Sequence, residues 1–431
     1  MCVSCVASLL AMTRRSTLQR SNASTLHVAR RGRGAALNPP NRFNKTNSEE
    51  DLASLEESLP AEFAERMRAV PTELIRDTSR SILATNDSPD LPFTYSLNPY
   101  RGCEHGCIYC YARPSHEYLG FSAGLDFESK IVVKYDAPEL LASHFRKRSW
   151  VPQLVLLSGN TDPYQPLERR LELTRRCLEV FRAYRNPVCI ITKNALVTRD
   201  LDILADLAAD NLVHVTVSVT SLDDEVIRVM EPRTSTPSAR LRAIESLAKA
   251  GVSVGVNVAP VIPGLTDEEM PRIMRAAADA GAKVANYIVV RLPGAVAELF
   301  LEWVERCYPN RVNRIVHRIE DLRDGRLNDP RWGVRMRGEG EWAKLLNELF
   351  HATRRKLGLE MSIAPLETGL FRVPPAYEEL PLFNDGPRLE RSDVAISSSR
   401  QSSSRAAKRR GDLVVPLPTT DLLSDLSDSS V

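Results

Sequence analysis

Three cysteines stand within eight residues in the stretch NPYRGCEHGCIYCYARP, residues 98–114: Cys103, Cys107 and Cys110. The next cysteine is Cys177. Eight cysteines scattered through 431 residues do not make a disulfide scaffold, so the close trio reads as metal ligands in a reducing compartment. Three chemistries compete for it. A structural zinc site wants four closed ligands, and His105 or His116 would supply the fourth. An electron-carrying iron–sulfur cluster usually takes four cysteines. A catalytic centre takes three and leaves a position open for substrate or cofactor.

The elements around the trio narrow the choice. From residue 93 to 309, β-rich runs alternate with amphipathic helical segments. The strand candidates are FTYSLN, QLVLLSG, VCIITKN, VHVTVSVTS, VSVGVNVAP and VANYIVVRLP. Several are nearly continuous apolar runs, as parallel strands buried on both faces should be. The intervening helices carry apolar residues at spacings of three and four, and two of them end in Ala-Gly, a helix stop signal. Six such units are too few for a closed eight-stranded barrel. The α/β pattern therefore predicts an open partial barrel or a doubly wound sheet, with ligands at the carboxyl ends of the strands in either case.

Polar residues gather at those ends. The cysteine loop follows the first strand, and Thr161 and Asp162 sit in SGNTDPYQPLE after the second. Lys193 ends the third strand and Ser218 the fourth, while Ile262 lies in the Pro- and Gly-rich loop after the fifth. Cys177, Cys189 and Cys307 fall inside helices or strands and read as buried thiols.

The remaining composition sets limits. A net charge of +2 and a mean hydropathy of −0.24 describe a globular chain that demands neither a nucleic-acid nor a membrane partner. No apolar run approaches a membrane span, and the opening MCVSCVASLLAM lacks the basic segment of a secretory signal, so the cytoplasm is the expected location. Residues 1–70 read as a disordered basic arm and linker with an acidic helix near its end. The arm is either an over-extended start or resembles a transit peptide. Residues 71–309 form the β/α domain, 310–375 a basic helical extension, and 376–431 a disordered tail rich in Ser. From Arg306 to Lys356 there are thirteen Lys or Arg against seven Asp or Glu, a patch that would suit phosphates. Its aromatics, Tyr308, Trp332, Trp342 and Phe350, would either stack on bases or pack on the barrel.

C-x3-C-x2-C directly after the first strand of such a series resembles the radical S-adenosylmethionine (SAM) superfamily. The resemblance implies a partial (β/α)6 barrel of the TIM type and a 4Fe-4S cluster on Cys103, Cys107 and Cys110. It also implies SAM chelated to the open iron and cleaved to a 5′-deoxyadenosyl radical, with an external electron donor of flavodoxin or ferredoxin type. By the same resemblance Thr161 and Asp162 stand where the SAM amino group is received, although the usual Gly-Gly-Glu is missing. Lys193 and Ser218 would meet the SAM carboxylate, and Tyr109 and Ile262 the adenine. The segments GLDFESKIVVK, NTDPYQPLE, TKNALVTRDLDIL, EPRTSTPSARL and APVIPGLTD further resemble proteins grouped with spore photoproduct lyase and called DNA-repair-photolyase-like. The likeness begins at RRGRGAALNPPNRF near Arg31. That lyase returns a hydrogen atom from a cysteine, and the corresponding position here is Asn160. The expected activity is therefore that of a radical SAM enzyme, lyase-like, with a nucleic acid or nucleotide favoured as substrate. Alternatives are a protein or small-metabolite substrate, or a cluster- or zinc-binding protein without SAM chemistry.

Overall fold

The structure, a computed structural model, describes residues 30–44 and 70–375. The readings of the arm before residue 30, of the acidic helix in SEEDLASLEESLPAEFAERMRAV up to residue 69 and of the tail from 376 lie outside the described residues. Ten strands are labelled in chain order: β1 Glu73–Arg76, β2 Leu83–Thr85, β3 Tyr95–Leu97, β4 Tyr100–Arg101, β5 Lys130–Val133, β6 Val155–Leu157, β7 Val188–Thr192, β8 Val213–Ser218, β9 Ser253–Val261 and β10 Val284–Val289. The main sheet runs β10-β9-β8-β7-β6-β3-β2. Its six strands from β3 to β10 are all parallel and coincide with the six apolar runs of the sequence, while β2 adds antiparallel to β3. Chain order and spatial order agree from β6 to β10, as repeated right-handed crossovers demand.

The crossover helices begin and end where local chemistry dictates. Thr236 caps the helix Pro237–Lys249, which has Pro at its first position. The Ala-Gly stops are real, since Gly251 and Gly281 take the left-handed conformation (φ +80° and +103°) that ends a helix at little cost. The parallel strands are buried on both sides, and the helix Val296–Cys307 seats Phe300 and Trp303 fully inside.

The arm differs from the sequence reading. Part of the arm is folded, because Arg33, Ala35 and Asn41 are buried and hydrogen-bonded to residues beyond 115. The extension after 309 belongs to the same compact unit, which runs up to Val373. It covers the free edge of β10. Ala285 N–H donates to the Glu360 carbonyl (2.9 Å), and Val289 N–H donates to the Met336 carbonyl (2.9 Å). From there Arg335 reaches Asp90 (2.6 Å) and Ser88, and Gly333 N–H donates to Asp90 (2.8 Å), in the loop between β2 and β3. The segment 333–338 thus bonds both to β10, at one edge of the sheet, and to the loop between β2 and β3 at the other. The helix Gly340–Leu357 packs Phe350 on Tyr287 (ring centroids 4.8 Å), and Tyr308 lies on Trp303 (5.4 Å). Of the four aromatics offered for base stacking, Trp332 is the one left mostly exposed, at 60%.

His214 lies on β8, near the amino end of the strand. Its ring nitrogens meet the Ser253 hydroxyl (2.9 Å) and the Thr216 hydroxyl (3.2 Å), and burial lowers its pKa to about 4. In the unfolded chain the group titrates near about 6.5. The folded pKa is depressed, so the stability it confers is complete above about 6.5 and is lost as the pH falls toward about 4. The loss approaches ~3 kcal/mol at the acid end. His214→Gln should flatten the fall of the thermal midpoint between pH 6.5 and 4 relative to the parent. An unchanged acid limb would show that the ring is already charged in the fold.

Candidate radical SAM site

The cysteine loop connects β4 to the short 3-10 helix Arg113–Leu119. Two glycines let it turn: Gly102 (φ +82°) and Gly106 (φ +66°) both occupy the left-handed region. Space is as restrictive as conformation. A Cβ on Gly102 would lie 2.9 Å from the Phe127 carbonyl oxygen, and one on Gly106 would lie 2.8 Å from the Glu128 carboxylate.

Nearly every residue of the loop is held by a long-range partner. Cys103 N–H donates to the Phe127 carbonyl (2.8 Å), and Gln165 accepts from Glu104 N–H (2.9 Å) while donating to the Gly102 carbonyl (3.3 Å). Glu104 accepts from Thr72 (2.6 Å) and Arg233 (3.1 Å). His105, 2% exposed, has Nδ1 3.4 Å from Asp162 and Nε2 3.2 Å from Asn194. Burial lowers its pKa, but the Asp162 carboxylate and Cys103 outweigh that and raise it to about 10. Arg113, fully buried, donates from Nε (3.1 Å) and Nη2 (2.9 Å) to the Cys107 carbonyl, and again from Nη2 to Glu128 (2.5 Å). Glu128 in turn accepts from Gly34 N–H (3.0 Å) and Ala35 N–H (2.9 Å), so the folded part of the arm closes over the loop.

The three thiols are free, two of them buried and Cys110 half-buried. Burial pushes Cys107 well above the ordinary thiol range, with Glu231 adding to the rise and Lys193 opposing it. Cys110 rises to about 11 through burial, opposed by Arg113. Thiols in so dry a place ionise when a bound metal compensates the charge. Among the described residues no three His, Cys, Asp or Glu side chains converge to hold a single metal ion. His105 is engaged with Asp162 and Asn194, and His116 is packed between Phe121 and Phe127.

The strand-end residues divide into two groups. Lys193 Nζ donates to the Ala259 carbonyl (2.7 Å) and Thr220 (3.3 Å), sits 3.5 Å from Glu231 and lies 5.6 Å from the Tyr109 ring centroid. Lys193 and Tyr109 are thus brought together beside Cys107. Tyr109 donates its hydroxyl to Glu231, and Ser218 offers its carbonyl to Arg240 (3.1 Å). Ile262 is fully buried, with its N–H on Thr266 (2.9 Å).

Thr161 and Asp162 belong to the other group, which ties the loop after β6 to its neighbours. Thr161 donates to the Tyr100 carbonyl (3.0 Å). Asp162 accepts from Thr192 (2.7 Å), Lys193 N–H (2.7 Å) and Tyr164 N–H (2.9 Å), besides facing His105. Its carboxylate is therefore spent within the protein, as is Arg240, which is buried on Glu231, Thr234 and the Ser218 and Ser235 carbonyls.

Sequence reasoning missed Glu231. It is buried, and although burial opposes ionisation, Arg240 and Lys193 hold it far below the usual carboxylate range. It also missed Arg113 and Glu128, which have no signature in a linear reading.

Residues 97–277 match the Radical SAM superfamily. It is 41% identical over 226 residues to an uncharacterized protein of Mycobacterium tuberculosis, a match covering 52% of this chain and 66% of that one. A protein of Methanocaldococcus jannaschii is 28% identical over 175 residues, covering 41% and 63%. The matches thus span just under two thirds of these relatives. Among solved structures, spore photoproduct lyase complexed with dinucleoside spore photoproduct aligns at TM-score 0.49 and 18% identity, over 75% of this chain and 88% of that one. No described helix is long and apolar enough to cross a membrane.

Proposed function

We propose that this protein is a radical SAM enzyme whose 4Fe-4S cluster is held by Cys103, Cys107 and Cys110. The observation that carries the reading is the cysteine loop itself, clamped by Arg113, Gln165 and His105 beside the polar carboxyl ends of parallel strands. When bound, the cluster and SAM supply the chemistry: one electron splits SAM into methionine and a 5′-deoxyadenosyl radical that abstracts hydrogen from substrate. The chain's own residues bind, orient and exclude water. Arg113 fixes the Cys107 carbonyl, the arm covers the loop, and Lys193 sets a positive charge next to the cysteines. Tyr109 offers an aromatic face beside that charge, with its hydroxyl anchored on Glu231 so that the ring cannot swing.

Thr161, Ser218 and Ile262 remain proposed SAM contacts, whereas Asp162 serves better as the brace of Lys193 and His105. The electron would come from a flavodoxin or ferredoxin in the cytoplasm. A nucleic acid or nucleotide is the favoured substrate, supported by the basic segment after residue 306. Lyase-like repair of a photoproduct has less support, because Asn160 stands where that chemistry uses a cysteine. A protein or small metabolite is the alternative.

The reading is tested by reducing anaerobically reconstituted protein with dithionite and measuring 5′-deoxyadenosine. Slow formation without substrate is expected, and none from cluster-loaded protein would refute it. Lys193→Ala should raise the SAM dissociation constant by about ten- to a hundredfold, the worth of one charge-assisted hydrogen bond of ~1.5–3 kcal/mol. Cluster content should stay intact, because Glu231 keeps Arg240 as its partner. SAM binding equal to the parent's would remove Lys193 from the cofactor site.

A further inference from the structure

Arg291 follows the last parallel strand and reaches the cysteine loop. Its guanidinium carbon lies 5.2 Å from the ring centroid of Tyr111, the residue after Cys110. Tyr111 donates its hydroxyl to the Gly159 carbonyl after β6, so ring and guanidinium meet over the carboxyl ends of the sheet. Arg291 has little to hold it there. Nη1 has the Met336 sulfur at 3.9 Å, and Nε is buried with no hydrogen-bond partner. The carboxylate that acts on it, Asp90, is already bonded to Arg335 (2.6 Å) and Gly333 N–H (2.8 Å).

Its other neighbours are cations. Arg335 is one. Arg323 is another, almost fully buried, with Nη1 on the Val334 carbonyl (3.1 Å), Nη2 on the Val290 carbonyl (2.9 Å) and Nε likewise unpartnered. Burial lowers the pKa of Arg291, and burial followed by repulsion from Arg291 lowers that of Arg323 to about 10. Asp329, the other acid near Arg323, is spent on Arg331 (2.5 Å). Like charges gathered in a half-dry place are costly unless an anion joins them.

We propose that Arg291, backed by Arg335 and Arg323, is the seat of a phosphate group of the substrate, held beside Tyr111 at the mouth of the barrel. This rests on the radical SAM reading for its role but not for its existence. Three guanidinium groups against the Asp90 carboxylate leave more positive charge than one carboxylate ligand would balance. A phosphate monoester matches that excess and a backbone phosphodiester offsets half of it, and the oxygens of either fit the planar fork of arginine. Tyr111 is 49% exposed, and Trp332 stands one residue from Gly333, so aromatic faces are at hand for a base attached to the phosphate. The phosphate could belong to a nucleic-acid backbone or to a free nucleotide.

The test measures binding of inorganic phosphate, thymidine 5′-monophosphate and a single-stranded oligonucleotide to the full chain at constant ionic strength. In parallel, 5′-deoxyadenosine formation is measured on the parent. Arg291→Gln should weaken all the probes that the parent binds by about ten- to a hundredfold. Arg291→Lys, which keeps the charge and loses the fork, should fall between. Binding of the oligonucleotide but not the mononucleotide assigns the site to a backbone phosphodiester, and binding of both assigns it to a phosphate of either source. Unchanged binding in the Gln variant, or in the Lys variant where the Gln variant fails to fold, overturns the site, as does a parent that binds none of the probes. A parent that binds phosphate through Arg291 yet forms no 5′-deoxyadenosine keeps the site and overturns the radical SAM reading instead.

Discussion

Cys103→Ala, Cys107→Ala and Cys110→Ala are each expected to abolish the iron–sulfur cluster and all 5′-deoxyadenosine formation. The reason is the number of ligands as much as their identity. A cluster bound through three thiolates has no spare protein ligand, so two cannot hold it. Neither His105 nor His116 is placed to substitute, since one is braced by Asp162 and Asn194 and the other is enclosed by aromatic rings. The contrast lies in the same chain. Cys177 is fully buried in the helix Leu173–Tyr184, and Cys189 is buried in β7 with its pKa pushed up to about 12. Alanine at either should leave the cluster in place and cost about 1 kcal/mol of packing. Iron and sulfide analysis with the electron paramagnetic resonance signal of the reduced protein reads both sets. Parent-like iron in any of the three loop variants would exclude that cysteine as a ligand. Stoichiometric zinc without iron in anaerobically purified parent would return the site to the zinc reading.

How much of this was legible in the sequence depended on whether the signal was local. The six parallel strands were legible because burial on both faces writes a continuous apolar run such as VCIIT. The small sheet of β1, β5 and β4 was not. Its strand ELIR has two exposed ends and pairs with residues 130–133, far along the chain, so its conformation is set by tertiary contact. The same division runs through the site. The cysteine spacing announces itself, the position of Lys193 followed from a strand end, and Tyr109 was reached through the family resemblance. A buried carboxylate gives no such sign, because Glu128 and Glu231 read in sequence as ordinary surface charges until Arg113, Arg240 and Lys193 are seen around them. Asp162 shows the converse, a polar residue at a ligand-like position whose bonding capacity the fold itself consumes.

Gly34→Ala is expected to loosen the arm from the cysteine loop and to strip its cover, although residue 34 lies some seventy positions before the first ligand. A Cβ at this position would stand 1.8 Å from the Gly106 carbonyl oxygen and 3.0 Å from its carbonyl carbon. Both are backbone atoms, so no flexible side chain can give way. Gly106 cannot retreat, because it is fixed in the left-handed conformation with the Glu128 carboxylate against it. The arm must therefore move, and Glu128 then loses the Gly34 and Ala35 N–H donors while staying inside the protein with Arg113 alone. Two hydrogen bonds to a buried charge are worth about 1.5–3 kcal/mol each, so the loss should be ~3–6 kcal/mol. Alkylation of the loop cysteines in metal-free protein reports on the cover without relying on any cofactor. Gly34→Ala should raise the rate at Cys107 and Cys110 severalfold and lower the thermal midpoint. A chain shortened to residues 31–383 keeps the Arg33, Gly34 and Ala35 contacts and should behave like the parent, whereas one beginning at Ala36 should behave like the alanine variant. Equal alkylation rates in the parent and Gly34→Ala would mean that the loop holds its shape, and its dryness, without the arm.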